Sequence, residues 1–139
     1  MVSKNEFYYS FDDYPKDKQV AFIKDYTPGN ATFLTNIYNY HPANIAGRKI
    51  FFGWPYYTWS NGYDIGPRYE IVRQIFSSQD RKTACFLLQQ NKIDYISLNG
   101  QRYDEGLETT LSFWQSNFPL IYQDKKNQQF IFKTPSVCE

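Results

Sequence analysis

The chain has 139 residues, is 42% hydrophobic, 21% charged and 20% aromatic, and carries a net charge of +1. That length fits one domain able to bury a core without metals. The near-neutral charge excludes a field that would concentrate nucleic acid or membrane phosphates, so partners must be read by local contacts.

Glu6 to Tyr14 alternates acids with Phe7, Tyr8, Tyr9, Phe11 and Tyr14, and reads as an extended arm laid on the domain rather than an edge strand. Asp12-Asp13-Tyr14-Pro15 signals a helix start. Val20, Phe22, Ile23 and Tyr26 then give a short helix that Thr27-Pro28-Gly29-Asn30 breaks. A strand follows over 31–35. Residues 36–46 form a polar, aromatic loop with the chain's one histidine, His41, ahead of Pro42. A second strand over 48–52 enters an aromatic, Gly-interrupted loop over 53–66.

Pro67 opens a helix whose Ile71, Val72, Ile75 and Phe76 share one face. After Ser77-Ser78-Gln79-Asp80 a second helix turns Ala84, Leu87 and Leu88 inward and frays at Asn91. Ile93, Tyr95, Ile96 and Leu98 mark the clearest buried strand. Asp104 or Glu105 is expected to cap a third long helix, with Leu107, Leu111 and Trp114 at i, i+4 and i+7. Leu120-Ile121-Tyr122 and Phe130-Ile131-Phe132, around a polar turn, form a hairpin pattern. The expected fold is α/β: a mixed sheet of about five strands with helices packed on it and a C-terminal β-hairpin. The expected organisation is an arm over 1–14, one domain over 15–134 and a tail over 135–139. Cys85 reads as a buried helix thiol and Cys138 as frayed, with no disulfide framework.

No secretory signal opens the sequence, and no apolar run approaches the ~20 residues of a membrane-spanning helix. One histidine and two distant cysteines cannot make a zinc site, and neither a calcium loop nor a phosphate-cradling glycine motif is present, so no metal or cofactor is expected. His41 is a possible general base or a residue that shapes the turn before Pro42. Asp64 and Arg68, four apart around Gly66-Pro67, read either as a cap and ion pair at a helix start or as a polar-ligand site in which Arg68 holds a carboxylate or phosphate. Trp54, Tyr56, Tyr57, Trp59 and Tyr63 offer ring faces that stack on sugars, or else seal the sheet against a neighbour. Ligands of such folds sit outside the carboxyl ends of the strands, which would put His41 and the aromatic loop on one rim. Asn30-Ala31-Thr32 is a short glycosylation-acceptor pattern.

Three segments in order carry a resemblance. They are residues 27–35, then Asn39-Tyr40-His41-Pro42 with residues 47–55, then Trp59-Ser60-Asn61-Gly62-Tyr63-Asp64 with Arg68, a helix and Ile93-Asp94-Tyr95-Ile96. This order resembles the C-terminal soluble region of polytopic membrane proteins of the lipid-linked-sugar glycosyltransferase group (GT-C, protein-mannosyltransferase-like), over roughly residues 18–98. The resemblance implies a non-catalytic, extracytoplasmic domain of a longer membrane glycosyltransferase. Its partner would be the membrane-spanning part of the same protein, and its role to brace that part or to help recognise a saccharide or lipid-linked sugar. The ligand-binding or docking residues would be His41, Arg48, Trp54, Tyr57, Trp59, Asp64 and Arg68. Two other readings are an independent carbohydrate-binding module and a small hydrolase or transferase using His41 and Asp64.

Overall fold

The structure, a computed structural model, describes residues 17–37, 42–52, 66–101 and 103–138. The elements in order are α1 (Lys18–Tyr26), β1 (Thr32–Thr35), α2 (Pro42–Ile45), β2 (Lys49–Ile50), α3 (Gly66–Ser77), α4 (Arg81–Gln90), β3 (Tyr95–Asn99), α5 (Leu111–Asn117), β4 (Leu120–Asp124) and β5 (Gln129–Lys133). The strands form one mixed sheet in the order β2-β1-β3-β5-β4. β1 is parallel to β2 and β3, whereas β5 runs antiparallel to β3 and to β4, its hairpin partner. The expected fold class and C-terminal hairpin are therefore present.

The period-2 alternation of the strands divides the apolar residues between two faces. Leu34, Ile96, Leu98, Phe130 and Phe132 face α3, α4 and α5, meeting Val72, Ile75, Leu88 and Trp114. Phe33, Tyr95 and Ile131 point the other way, onto Val20 and Ile23 of α1 and Ala43 of α2. The sheet is thus the middle of three layers.

Local chemistry sets the helix ends. The Asp17 carboxylate accepts from the Gln19 and Val20 amides at 2.8 and 3.1 Å and starts α1, later than Pro15. Asp80 starts α4 by accepting from the Thr83 amide and hydroxyl. Hydrogen bonding to the Thr83 side chain holds the Asp80 carboxyl below its ordinary range.

Three expectations need correction. The strand over 48–52 pairs as a ladder only at Lys49 and Ile50, and the loop before it contains the short helix α2. The third helix begins at Leu111, with Thr110 rather than Asp104 or Glu105 at its cap. The reason is Gly106, whose φ of +86° turns the backbone out of a helical path, so Leu107 is buried from a turn. The two cysteines are joined: Cys85 in α4 and Cys138 form a disulfide with Cα atoms 5.4 Å apart. Residues beyond β5 fold back along α4, where Gln89 Nε2 donates to the Pro135 carbonyl at 2.7 Å, and this brings Cys138 onto Cys85. Neither a free thiol at Cys85 nor a frayed Cys138 is present.

Candidate functional site

In a sheet of this order, the chain leaves β1 toward β2 on one side while β3 lies on the other. The gap between β1 and β3 is the switch point where open α/β sheets usually take ligands. Here it is closed by the buried side chain of Asn36. Its Nδ2 donates to the Asn99 carbonyl, and its Oδ1 accepts from the Asn99 amide, both at 2.9 Å. The Asp104 amide donates to the Asn36 carbonyl at 3.0 Å, drawing the loop after β3 over the same point. The remaining cavity, bordered by Gln19, Ile37 and Leu98, holds about 20 Å³. Among the described residues this end of the sheet offers a rim rather than a cleft.

The β2 side of the rim is built from aromatic rings and arginines packed against them. Phe51 and Phe52 leave β2 buried. The Arg68 guanidinium, from the first turn of α3, lies 4.7 Å from the Phe51 ring centroid, and its Nη1 donates to the Phe51 carbonyl at 2.6 Å. One turn of helix thereby grips the end of the strand. Tyr69 packs on Phe52 at 5.7 Å between centroids, and Arg73 lies 5.8 Å over the Tyr69 ring. Hydrogen bonding to Tyr69 raises the pKa of Arg73, which stays a cation at any physiological pH. Gly106 closes the group: a Cβ there would collide with the Tyr69 hydroxyl and ring. We expect Gly106→Ala to destabilise the protein by roughly 2 kcal/mol, from the clash and the left-handed backbone together. Urea unfolding checks this, and pairing the change with Tyr69→Phe is expected to restore part of the loss. Nearby in the chain, Tyr103 is 57% exposed.

Of the sequence-derived site residues, His41, Trp54, Tyr57, Trp59 and Asp64 lie outside the described residues. The remaining two, Arg48 and Arg68, are at opposite ends of β2. Arg48 precedes the strand, and its guanidinium closes the C-terminal end of α1. Nε donates to Thr27 Oγ1, and the Nη atoms donate to the carbonyls of Ala46, Ile23, Lys24 and Thr27 at 3.0–3.3 Å. That geometry serves carbonyls left over at a helix end. Arg48→Ala is expected to cost about 2 kcal/mol of stability, and Arg48→Lys to recover only part, since an ammonium cannot span so many acceptors. A shift of the denaturation midpoint measures both; no shift would discount the structural role. Sequence reasoning missed Asn36, Tyr69, Gly106 and Tyr103. Only Gly106, within Asp104-Glu105-Gly106, carried a readable turn signal.

Among the described residues, no group of three His, Cys, Asp or Glu side chains could hold a metal ion, and no helix is long and apolar enough to cross a membrane.

These elements define a class of fold: a three-layer α/β domain with a mixed five-stranded sheet and its parallel carboxyl ends gathered into an aromatic rim. Among solved structures, the chain is similar to the C-terminal globular domain of an oligosaccharyltransferase from Archaeoglobus fulgidus, with a TM-score of 0.53 and 12% identity, over 84% of this chain and 94% of that one. At that identity the likeness is one of fold, and it agrees with the resemblance carried by the three sequence segments. No family model matches the chain, and no curated protein matches it.

Proposed function

We propose that the chain is a non-catalytic domain of a membrane glycosyltransferase-like protein, held on the extracytoplasmic side. The carboxyl-end rim, continuing into the segment with Trp54, Tyr57, Trp59 and Asp64, meets the membrane part of the same protein or a saccharide it handles. The observation that carries this reading is the likeness in fold to the C-terminal globular domain of an oligosaccharyltransferase, which spans 84% of this chain and 94% of that one. The Cys85–Cys138 bond supports the side of the membrane, because structural disulfides persist in oxidising compartments. Asn36 supports a docking role over catalysis, since its side chain occupies the point where this class of sheet would receive a small substrate.

The reading frame upstream of Met1 is the direct test. Membrane-spanning segments are expected in it, and a frame without them refutes the proposal. A glycan array with the isolated chain then separates the two occupants of the rim. Saccharide affinity that is lost on Trp59→Ala assigns the rim to sugar, and no affinity assigns it to the membrane part.

A further inference from the structure

A wide groove lies at the other end of the sheet, where the parallel strands begin. It encloses about 740 Å³ between the turn before β1, the end of α4 and the segment after β5. Three lysines from three different elements line it: Lys49 of β2, Lys92 after α4 and Lys133 of β5, all exposed. One carboxylate, Asp94, accompanies them, and its Oδ2 accepts from the Thr32 amide at 2.9 Å. The groove therefore presents an excess of positive charge on a chain that is otherwise almost neutral.

The ordinary reason for lysines at this end is to neutralise helix C-termini. That task is already performed by other groups. Arg48 covers the last carbonyls of α1. At α4, the amides of Asn91, Lys92 and Ile93 donate to Leu87, Gln89 and Leu88, and Asn91 Nδ2 donates to Leu87 as well. None of the three ammonium groups has a hydrogen-bond or ion-pair partner among the described residues. Lys92 sits just past the C-cap of α4 with φ +57°, a position that glycine fills without strain. A lysine there carries a small conformational cost that glycine would avoid. The Thr134 hydroxyl, also in the groove lining, is buried with no hydrogen-bond partner.

We propose that this groove binds a phosphorylated anion, with Lys49, Lys92 and Lys133 converging on the phosphate oxygens. The volume admits a phosphate together with the group that bears it. The groove is on the opposite end of the sheet from the aromatic rim and stands whether or not the rim binds sugar.

The test is a titration of the full chain with inorganic pyrophosphate, followed by amide chemical shifts. Saturable shifts confined to Lys49, Lys92, Asp94 and Lys133, weakening as salt is raised, are expected. Lys133→Gln is expected to weaken binding about fivefold. Lys92→Gly is the decisive variant, because it relieves the backbone and is expected to raise Tm while still weakening binding about fivefold. Absence of saturable shifts, shifts centred elsewhere, or unchanged affinity in Lys92→Gly would overturn the site. Sedimentation with phosphatidylglycerol and phosphatidylcholine vesicles identifies the source. Binding to the anionic vesicles alone makes the ligand a lipid headgroup; binding of pyrophosphate without either vesicle makes it a soluble phosphate.

Discussion

Removing the Cys85–Cys138 bond, by reduction or by the double change Cys85→Ala/Cys138→Ala, is expected to lower stability by about 4 kcal/mol, as a chain-entropy estimate gives for the 53-residue separation it closes. The bond joins α4 to the residues following β5, so the loop it closes contains β3, α5 and the hairpin. An unfolded chain without it gains the freedom of that whole segment. The native state loses the packing of Cys138 against the α4 side of the core. Equilibrium urea unfolding with and without reductant measures the difference. The alanine pair and the reduced wild type should agree closely, since both remove the constraint on the unfolded chain. A chain that unfolds at the same midpoint in both redox states would show that the bond is not formed, and would withdraw one support for an extracytoplasmic location.

Trp114→Ala is the second large effect, expected at about 4 kcal/mol. Trp114 is fully buried and is the hub of an aromatic group: Phe113 and Phe76 meet it edge-on at 5.3 and 6.2 Å, and Phe118 tilts against it at 4.8 Å. Its Nε1 donates to Thr109 Oγ1 at 2.8 Å, and that hydroxyl donates in turn to the Phe76 carbonyl at 2.8 Å. The truncation opens a cavity bounded by rings that cannot collapse into it, and it leaves Thr109 without its donor. Trp114→Phe separates the two contributions. It keeps most of the apolar volume and loses the hydrogen bond, so about 1 kcal/mol of further loss beyond the volume change belongs to the indole N–H. Thermal and urea unfolding of both variants checks the order; equal losses would mean that the polar contact, and not the packing, dominates.

The two arginines of the candidate site show how far residue type goes as a guide. Both Arg48 and Arg68 sit in the segments that carry the family resemblance, and nothing in their spacing separates them. The fold does: β2 runs between them, so one faces the helix ends at the start of the parallel strands and the other grips the aromatic end. The same separation puts the lysine groove and the aromatic rim on different ends of one sheet.

Much of the architecture was legible because it follows from short-range rules. Short apolar stretches in residues 31–35, 93–98 and 130–132, bounded by turn signals, named the strands. The apolar face of Val72, Ile75 and Phe76 named α3, and the polar turn between two apolar runs named the hairpin. These signals act over a few residues and need no partner. Tertiary structure decided what depends on distant segments meeting. Cys85 and Cys138 are ordinary in their own neighbourhoods, and only the return of the chain along α4 makes them a pair. Asn36 is one polar residue among several until β1 and β3 lie side by side and its amide spans Asn99. Leu107, Leu111 and Trp114 carry a helical period, yet with the positive φ of Gly106 against Tyr69 the helix starts only at Leu111, because close packing outweighs a pattern worth a few tenths of a kcal/mol per residue. Local apolar patterning thus determined which segments would be strands and helices. Which ends of those elements could hold a ligand was settled by long-range contacts that no local stretch of sequence contains.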